Sequence, residues 1–143
     1  MGTAKAVVDR TWAALESGQL ADLRGIFAPD AEMVMPGGMQ VRGIEQIEPV
    51  LRAYFAAFPD LRHRVVSTVE AGDRIALELQ ITGTHTGTLM TPNGPIPATG
   101  RGVEWQSVDM ITVADDKIAS WHAYYDQLAF LGQLGLLPEP ATA

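Results

Sequence analysis

The sequence contains no cysteine, and this absence removes several classes of chemistry at once. A disulfide framework, a thiolate nucleophile and a zinc site built on cysteines are all excluded. Lysine and arginine are also scarce, with 10 among 143 residues, and the formal net charge is −7. Because nucleic-acid binding needs clustered basic side chains and these are scattered, we expect no nucleic-acid partner.

Long apolar runs are missing too. No segment approaches the roughly 20 apolar residues of a membrane span, and the N-terminus lacks the apolar core of a signal peptide. We therefore expect no membrane partner and a cytoplasmic location. The HExxH, P-loop, GxSxG and GxGxxG patterns are absent as well, so metallopeptidase, nucleotide-binding and α/β-hydrolase functions have no support in the sequence.

The composition that remains is that of an ordinary globular protein. Hydrophobic residues make up 47% of the chain and charged residues 19%, which is unlike a disordered segment. A chain of 143 residues has the size of one domain. We expect a single domain spanning residues 1–143.

The first part of the chain has helical apolar spacing. Three helices are predicted, interrupted by one short strand over Ala31–Met35. Pro29-Asp30 is expected to stop the second helix, and Pro49 predicts a separate turn at residues 44–47 or a kink in the third. The predicted helices cover residues 3–17, 20–27 and 43–58.

The rest of the chain is β in character. Ile75, Leu77, Leu79 and Ile81 alternate with polar or small residues, as in a half-buried strand. Thr86–Gly100 holds several prolines and glycines and is predicted to be a loop that forms a lid or rim. The predicted strands are Arg62–Glu70, Arg74–His85, Gly102–Val113 and a last one after Asp116. A short helix is expected from Leu128.

Helices followed by an antiparallel meander predict the α+β class, with helices on one face of the sheet. The predicted strands are longer than the usual five or six residues, so the sheet should curve strongly. A strongly curved sheet covered by N-terminal helices makes a cone-shaped barrel with an internal cavity, where a small hydrophobic molecule can bind.

Three residues are candidates for acid/base chemistry. Asp109 lies among apolar residues, where burial raises the pKa of a carboxyl group towards the range of a useful base, although a salt bridge to an arginine explains it equally well. His85 follows an apolar strand face; it is either a proton-transfer group or a histidine hydrogen-bonded to loop backbone. Glu32 lies between two methionines, either as a functional charge or simply at an exposed edge.

Other residues are candidates for substrate contact. Trp105 and Ser107 share the face of Asp109 if the strand has no bulge. In the last strand His122 and Tyr124 share one face and Trp121, Ala123 and Tyr125 the other, and which face is internal stays open. Asp126 is either a contact or the N-cap of the last helix. The predicted substrate-binding set is Trp105, Tyr124, His122, Asp126, Met35 and Tyr54.

Several short motifs occur in an order that resembles a known family. They are Phe58-Pro59-Asp60-Leu61, Gly72-Asp73-Arg74, Gly83-Thr84-His85-Thr86-Gly87, Val108-Asp109-Met110 and Gln133-Leu134-Gly135-Leu136-Leu137-Pro138. Together they resemble the SnoaL-like polyketide cyclases of the NTF2-like superfamily. The resemblance covers nearly the whole chain. It implies a cone-shaped α+β barrel, a hydrophobic cavity, a homodimer, and chemistry without cofactor or metal.

The chain departs from that family at one important position. In the aldol cyclases of the family, an aspartate on the last strand acts as general acid/base. An ungapped register from Lys117 to Gly135 places that position at Ala123. The histidine that supports the cyclase aspartate falls at Asp109 in the same register.

Two functions are therefore predicted. The first is a cofactor-free enzyme that cyclises, isomerises or hydrates a hydrophobic polyketide-like or carbonyl substrate by acid/base chemistry. The second is a non-catalytic hydrophobic ligand carrier or accessory protein of the same fold, an alternative that the alanine at position 123 keeps open.

Overall fold

The computed structural model describes residues 3–91 and 94–136. The helical elements are α1 (Thr3–Glu16), a 3-10 turn (Leu20–Asp22), α2 (Leu23–Ile26), α3 (Ile44–Ala57) and α4 (Gln127–Gln133). The strands are β1 (Phe27–Met35), β2 (Met39–Arg42), β3 (Arg62–Ala71), β4 (Arg74–Thr84), β5 (Leu89–Thr91), β6 (Gly94–Ile96), β7 (Gly102–Ala114) and β8 (Lys117–Tyr125).

Six of these strands form one open sheet in the order β2-β1-β8-β7-β4-β3. Neighbouring strands are antiparallel except for β1 and β8, which run parallel. Strands β3, β4 and β7 contain 10, 11 and 13 residues, long enough for a sheet to curve. The predicted α+β class is confirmed.

One face of the sheet carries the core. Ile75, Leu77 and Leu79 on β4 and Ile111 on β7 are at most 2% exposed, in strict alternation with more exposed neighbours. Burying each such side chain contributes about 1.5–3 kcal/mol. Helices α1 and α3 pack against this face through their apolar stripes, and the cavity described below lies between helices and sheet.

The first strand is longer than predicted, and the helix before it is shorter. Pro29-Asp30 does not end a helix but lies inside β1, which begins at Phe27. The pairing of β1 with β8 is irregular between Phe27 and Glu32, so Pro29 occupies a stretch where no regular ladder needs its missing N–H.

Helix α3 is continuous from Ile44 to Ala57, with Pro49 inside it, so a separate turn at residues 44–47 does not form. Proline removes only one backbone donor. Packing of the apolar stripe offsets the lost hydrogen bond, because Ile47 is fully buried and Leu51 and Tyr54 pack against the core.

The segment predicted as a plain loop, Thr86–Gly100, contains a small hairpin of β5 and β6. Leu89 and Ile96 are cross-strand partners, and Leu89 is buried. The buried side chain of Leu89 joins the hairpin to the core of the domain. Strand β4 ends at Thr84, one residue before the predicted His85.

Candidate active site

The space between the helices and the sheet contains a cavity of about 70 Å³. Its wall is rich in aromatic residues: three tryptophans, two tyrosines and two phenylalanines line it. Besides the tyrosines and tryptophans, the polar lining residues are His63, Ser107 and Asp109, and no lysine or arginine is among the lining residues in the described part of the chain. A flat, uncharged molecule suits such a wall.

Asp109 is the carboxyl group of this cavity. It lies on β7, where Trp105, Ser107 and Asp109 share the inner face, as the alternation predicted. Ser107 Oγ donates to Asp109 Oδ1 at 2.5 Å, and Trp121 Nε1 donates to Oδ2 at 2.9 Å. The predicted alternative of a salt bridge to an arginine is not found among the ion pairs of residues 3–91 and 94–136.

Burial raises the pKa of Asp109 from 3.8 to about 6, against the opposing effect of the hydrogen bonds from Ser107 and Trp121. Removal from water disfavours the charged form, whereas donors to the carboxylate favour it. At neutral pH the group is therefore mostly ionised yet basic enough to accept a proton.

Ala123 lies directly opposite Asp109. The two residues are register partners on β8 and β7, and both line the cavity. The resemblance placed the family's acid/base aspartate at position 123. In this chain the carboxylate of the cavity is carried by the neighbouring strand, one cross-strand step away.

A pair of tyrosines provides hydroxyl groups in the same cavity. Tyr54 on α3 and Tyr125 on β8 have their hydroxyl oxygens 2.6 Å apart, in hydrogen bond. Burial raises the pKa of both phenols, so both stay protonated at neutral pH. One hydroxyl uses its proton within the pair, and the other keeps a proton that a bound oxygen could accept.

His63 is a cavity residue that the sequence did not reveal. It lies on β3 and stacks on Trp12 with ring centroids 4.3 Å apart. Burial lowers its pKa to about 4, although Glu16 Oε1, 3.5 Å from Nδ1, acts in the opposite direction. The same Glu16 oxygen accepts from the His63 backbone N–H at 2.9 Å. His63 is therefore neutral at pH 7.

His85 is fully buried but does not line the cavity. Its Nδ1 accepts from the Thr99 backbone N–H at 3.2 Å and lies 3.0 Å from the Thr99 hydroxyl. Burial lowers the pKa of His85. His85 thus holds the segment after β6 against the end of β4. Of the two predicted roles, this is the histidine hydrogen-bonded to loop backbone.

Glu32, His122 and Tyr124 lie on the other face of the sheet, away from the cavity. His122 Nε2 donates to Glu32 Oε1 at 2.8 Å, and Arg42 Nη2 lies 2.9 Å from Glu32 Oε2. The hydrogen bond from His122 holds the pKa of Glu32 below its usual range. Tyr124 is 55% exposed, with its hydroxyl 3.5 Å from His122 Nδ1.

The remaining predicted contacts divide between cavity and helix end. Trp105, Met35 and Tyr54 line the cavity. Asp126 caps α4, because its Oδ1 accepts from the Ala129 backbone N–H at 3.0 Å. Within residues 3–91 and 94–136, no group of three or more His, Asp and Glu side chains could hold a metal ion.

Comparison with known proteins agrees with this architecture. A family model for SnoaL-like polyketide cyclases matches residues 5–134. The chain belongs to this family. No curated protein sequence matches the chain. Of the family motifs quoted from the sequence, Leu137 and Pro138 lie outside the described residues.

Solved structures share the fold over almost the whole chain. A candidate SnoaL-like polyketide cyclase from Jannaschia sp. CCS1 has a TM-score of 0.82 at 22% identity, covering 95% of this chain and 94% of that one. AclR, a candidate hydroxylase from Streptomyces galilaeus, gives 0.79 at 27%, covering 97% and 89%. IdmH, a candidate polyketide cyclase from Streptomyces antibioticus, gives 0.75 at 30%, covering 92% and 98%. The predicted NTF2-like fold is confirmed.

No helix among the described residues is long and apolar enough to cross a membrane.

Proposed function

We propose that this family member is a cofactor-free enzyme that removes a proton next to a carbonyl group of a neutral hydrophobic substrate. The observation that carries the proposal is a single carboxyl group, Asp109, buried in an aromatic cavity with a pKa of about 6. Carboxylates raised in pKa by apolar surroundings are suitable bases for carbon acids.

In the proposed first step, Asp109 takes the proton from the carbon beside the carbonyl group. The C–H electrons form the enolate, so the negative charge moves from the carboxylate to the substrate oxygen. Ser107 and Trp121 fix the carboxylate from two sides, which holds it ready for the transfer. The total charge of the cavity does not change during this step.

The enolate oxygen needs a donor, and the tyrosine pair supplies one. Since Tyr54 and Tyr125 share one internal hydrogen bond, one phenolic proton remains for the substrate oxygen. A donor aimed at developing charge in a site without bulk water is worth roughly 10²–10³ in rate.

The enolate carbon then has two outcomes. In a cyclisation it attacks a second carbonyl group of the same molecule, and the protonated Asp109 returns its proton to the new alkoxide. In an isomerisation the proton returns to a different carbon. Both reactions restore the carboxylate of Asp109 and need no other reagent. Polyketide-like chains carry the neighbouring carbonyl groups that a cyclisation requires.

Proton exchange tests the proposal without knowledge of the natural substrate. 2-Tetralone, a small bicyclic ketone, is incubated with the protein in D₂O, and loss of its α-proton signals is followed by NMR. The protein should accelerate exchange, and Asp109→Asn should reduce the acceleration by about 10²–10⁴. Glu32→Gln, the same chemical change on the outer face, should leave it unaltered. Equal exchange by protein and Asp109→Asn would refute the assignment.

A hydrophobic ligand carrier is the second candidate, favoured by Ala123 at the position of the family aspartate. A carrier would bind the ketone without accelerating exchange. Saturable binding of 2-tetralone with exchange at the rate of buffer alone would select this function.

We also propose that the chain forms a homodimer through the outer face of the sheet. Val108 and Tyr124, register partners at its centre, are 45% and 55% exposed, and Val69 on β3 is 67% exposed. Sedimentation should give a dimer, and Val108→Lys should give a monomer. A monomeric unmodified protein would contradict this. The cytoplasmic location and the single-domain extent of residues 1–143 stay predictions.

A further inference from the structure

A second and larger pocket lies beside the cavity that contains Asp109. It is formed by the turn between β1 and β2, the β5–β6 hairpin and helix α4. Its volume is about 460 Å³, against about 70 Å³ for the cavity of Asp109. We call the two spaces the outer pocket and the inner cavity. The lining of the outer pocket includes Pro36, Met39, Leu89, Met90, Phe130 and Leu136.

The inner cavity is too small for a whole substrate. An engineered protein cavity of roughly 150 Å³ holds one benzene molecule, and drug-sized ligands occupy roughly 300–1,000 Å³. At about 70 Å³, the inner cavity has room for a carbonyl group and the few carbon atoms beside it. The remainder of a larger substrate has to lie in another space.

The outer pocket adjoins the inner cavity through shared side chains. Tyr54 on α3 lines both spaces. Phe130 on α4 lines the outer pocket, and its ring centroid lies 4.8 Å from that of Trp105 and 5.8 Å from that of Tyr125, which both line the inner cavity. A single layer of aromatic side chains therefore separates the two spaces.

The chemistry of the outer pocket favours an uncharged apolar occupant. None of its described lining residues is an aspartate, glutamate, lysine, arginine or histidine. Met90 and Leu136 are 56% and 38% exposed, and exposed apolar side chains gathered in a concave surface are typical of a binding site. A charged group would lose water there without gaining an opposite charge, which is unfavourable.

We propose that the outer pocket binds the non-reacting part of the substrate, an uncharged alkyl or aryl extension, while the carbonyl end of the same molecule enters the inner cavity. The substrate is therefore elongated, with its reacting carbonyl group near one end and most of its apolar mass on the outer side of Tyr54. This inference rests on the proposed function, because it takes Asp109 as the group that meets the carbonyl end.

Methionine methyl groups can report on the two spaces separately. Met33 and Met35 line the inner cavity, whereas Met39 and Met90 line the outer pocket. Met110 lines neither space and serves as an internal control. The unmodified protein, labelled with ¹³C in its methionine methyl groups, is titrated with 2-butanone and with 2-decanone at pH 7 and observed by NMR.

The two ketones have the same carbonyl end and differ only in chain length. 2-Butanone should shift the signals of Met33 and Met35, because it is short enough for the inner cavity. 2-Decanone should shift these signals and also those of Met39 and Met90, and neither ketone should move Met110. Signals of Met39 and Met90 that stay in place with 2-decanone would overturn the proposal and leave the outer pocket to another occupant, such as a second copy of the chain.

Proton exchange then tests whether the outer pocket serves catalysis. The kcat/KM for exchange beside the carbonyl group should rise from 2-butanone to 2-decanone, by up to about fourfold per added methylene group. Leu136→Asp should lower the ratio of the 2-decanone value to the 2-butanone value by about tenfold, because the chain would lose apolar contact and meet a charge. Leu128→Asp is the matched control, since Leu128 is 66% exposed on α4 and does not line the outer pocket, and its ratio should stay unchanged. Equal ratios in all three proteins would also overturn the proposal.

Failure of this inference is distinguishable from failure of the proposed function. Asp109→Asn should lose exchange with both ketones and still show the shifts of Met39 and Met90 with 2-decanone. Exchange that depends on Asp109 but not on chain length, with Met39 and Met90 unmoved, would keep the enzyme and remove the outer site. Shifts of Met39 and Met90 without exchange in the unmodified protein would keep the outer site in a carrier.

Discussion

The buried carboxylate should make stability depend on pH in an unusual direction. Asp109 has a pKa of about 6 in the folded protein against an ordinary value of 3.8. Between these values the folded chain holds a proton that the unfolded chain has released. Stability from this group is therefore fully present below about pH 4 and is lost as the pH rises to about 7, by about 3 kcal/mol in total.

Asp109→Asn isolates this effect, because the amide cannot ionise. Its oxygen can accept from Trp121, and its NH₂ can donate to Ser107 Oγ, whose hydroxyl is free to reverse. Both hydrogen bonds survive in that arrangement, so we expect the variant to fold. Most other titrating groups change the free energy of unfolding of both proteins equally, so their contributions cancel when one free energy is subtracted from the other.

The assay is urea unfolding of both proteins at half-unit steps from pH 4 to pH 8. The free energy of unfolding of the unmodified protein minus that of Asp109→Asn should fall by about 2.5 kcal/mol between pH 4 and pH 7 and then level off. A difference that stays flat over this range, or rises, would refute the idea that Asp109 is ionised at a cost inside the cavity.

Three further changes test the tyrosine pair, the helix cap and one tight contact. Tyr54→Phe combined with Tyr125→Phe should slow 2-tetralone exchange roughly 100-fold, and either change alone should slow it less, because the other phenol can still donate; rates equal to those of the unmodified protein would contradict this. Asp126→Ala should lower the free energy of unfolding by about 1 kcal/mol in urea, while Asp126→Asn should nearly preserve it, as expected for an N-cap. Gly87→Ala should cost about 1–3 kcal/mol in a thermal melt, because a Cβ there would overlap the Ala56 carbonyl oxygen, whereas Gly102→Ala, with open space around it, should change little.

Much of the sheet follows from the sequence because side chains alternate strictly along a strand. The polar and apolar alternation of β4 placed its inner face correctly, and the same rule placed Trp105, Ser107 and Asp109 together. The inner face of β8 could not be derived, since alternation gives two faces and only the pairing with β7 and β1 selects one of them.

Glu32 and His63 differ in how much the local pattern reveals about them. Met33 and Met35, on the parity opposite to Glu32, line the cavity, so their apolar character was the signal that Glu32 faces outward. His63 belongs to a strand with no clear alternation, and the pairing of β3 with β4 shifts register between Val65 and Ser67. Its pairing with Ile81 on β4 and its stacking on Trp12, from a helix some 50 residues earlier, bring it to the cavity.

The parallel pairing of β1 with β8 has a consequence for folding during synthesis. Phe27 pairs with Ile118, and Val34 with His122. Strand β1 therefore cannot form this pairing until β8 has been synthesised. Contacts this distant along the chain form slowly. Asp109 and Trp121 meet within the β7–β8 hairpin, but the cavity beside them lacks Phe27 and Met33 until β1 pairs with β8. The enclosed environment of Asp109 is therefore expected only after this long-range pairing has formed, later than the hydrogen bond from Trp121, and tryptophan fluorescence should follow the closure.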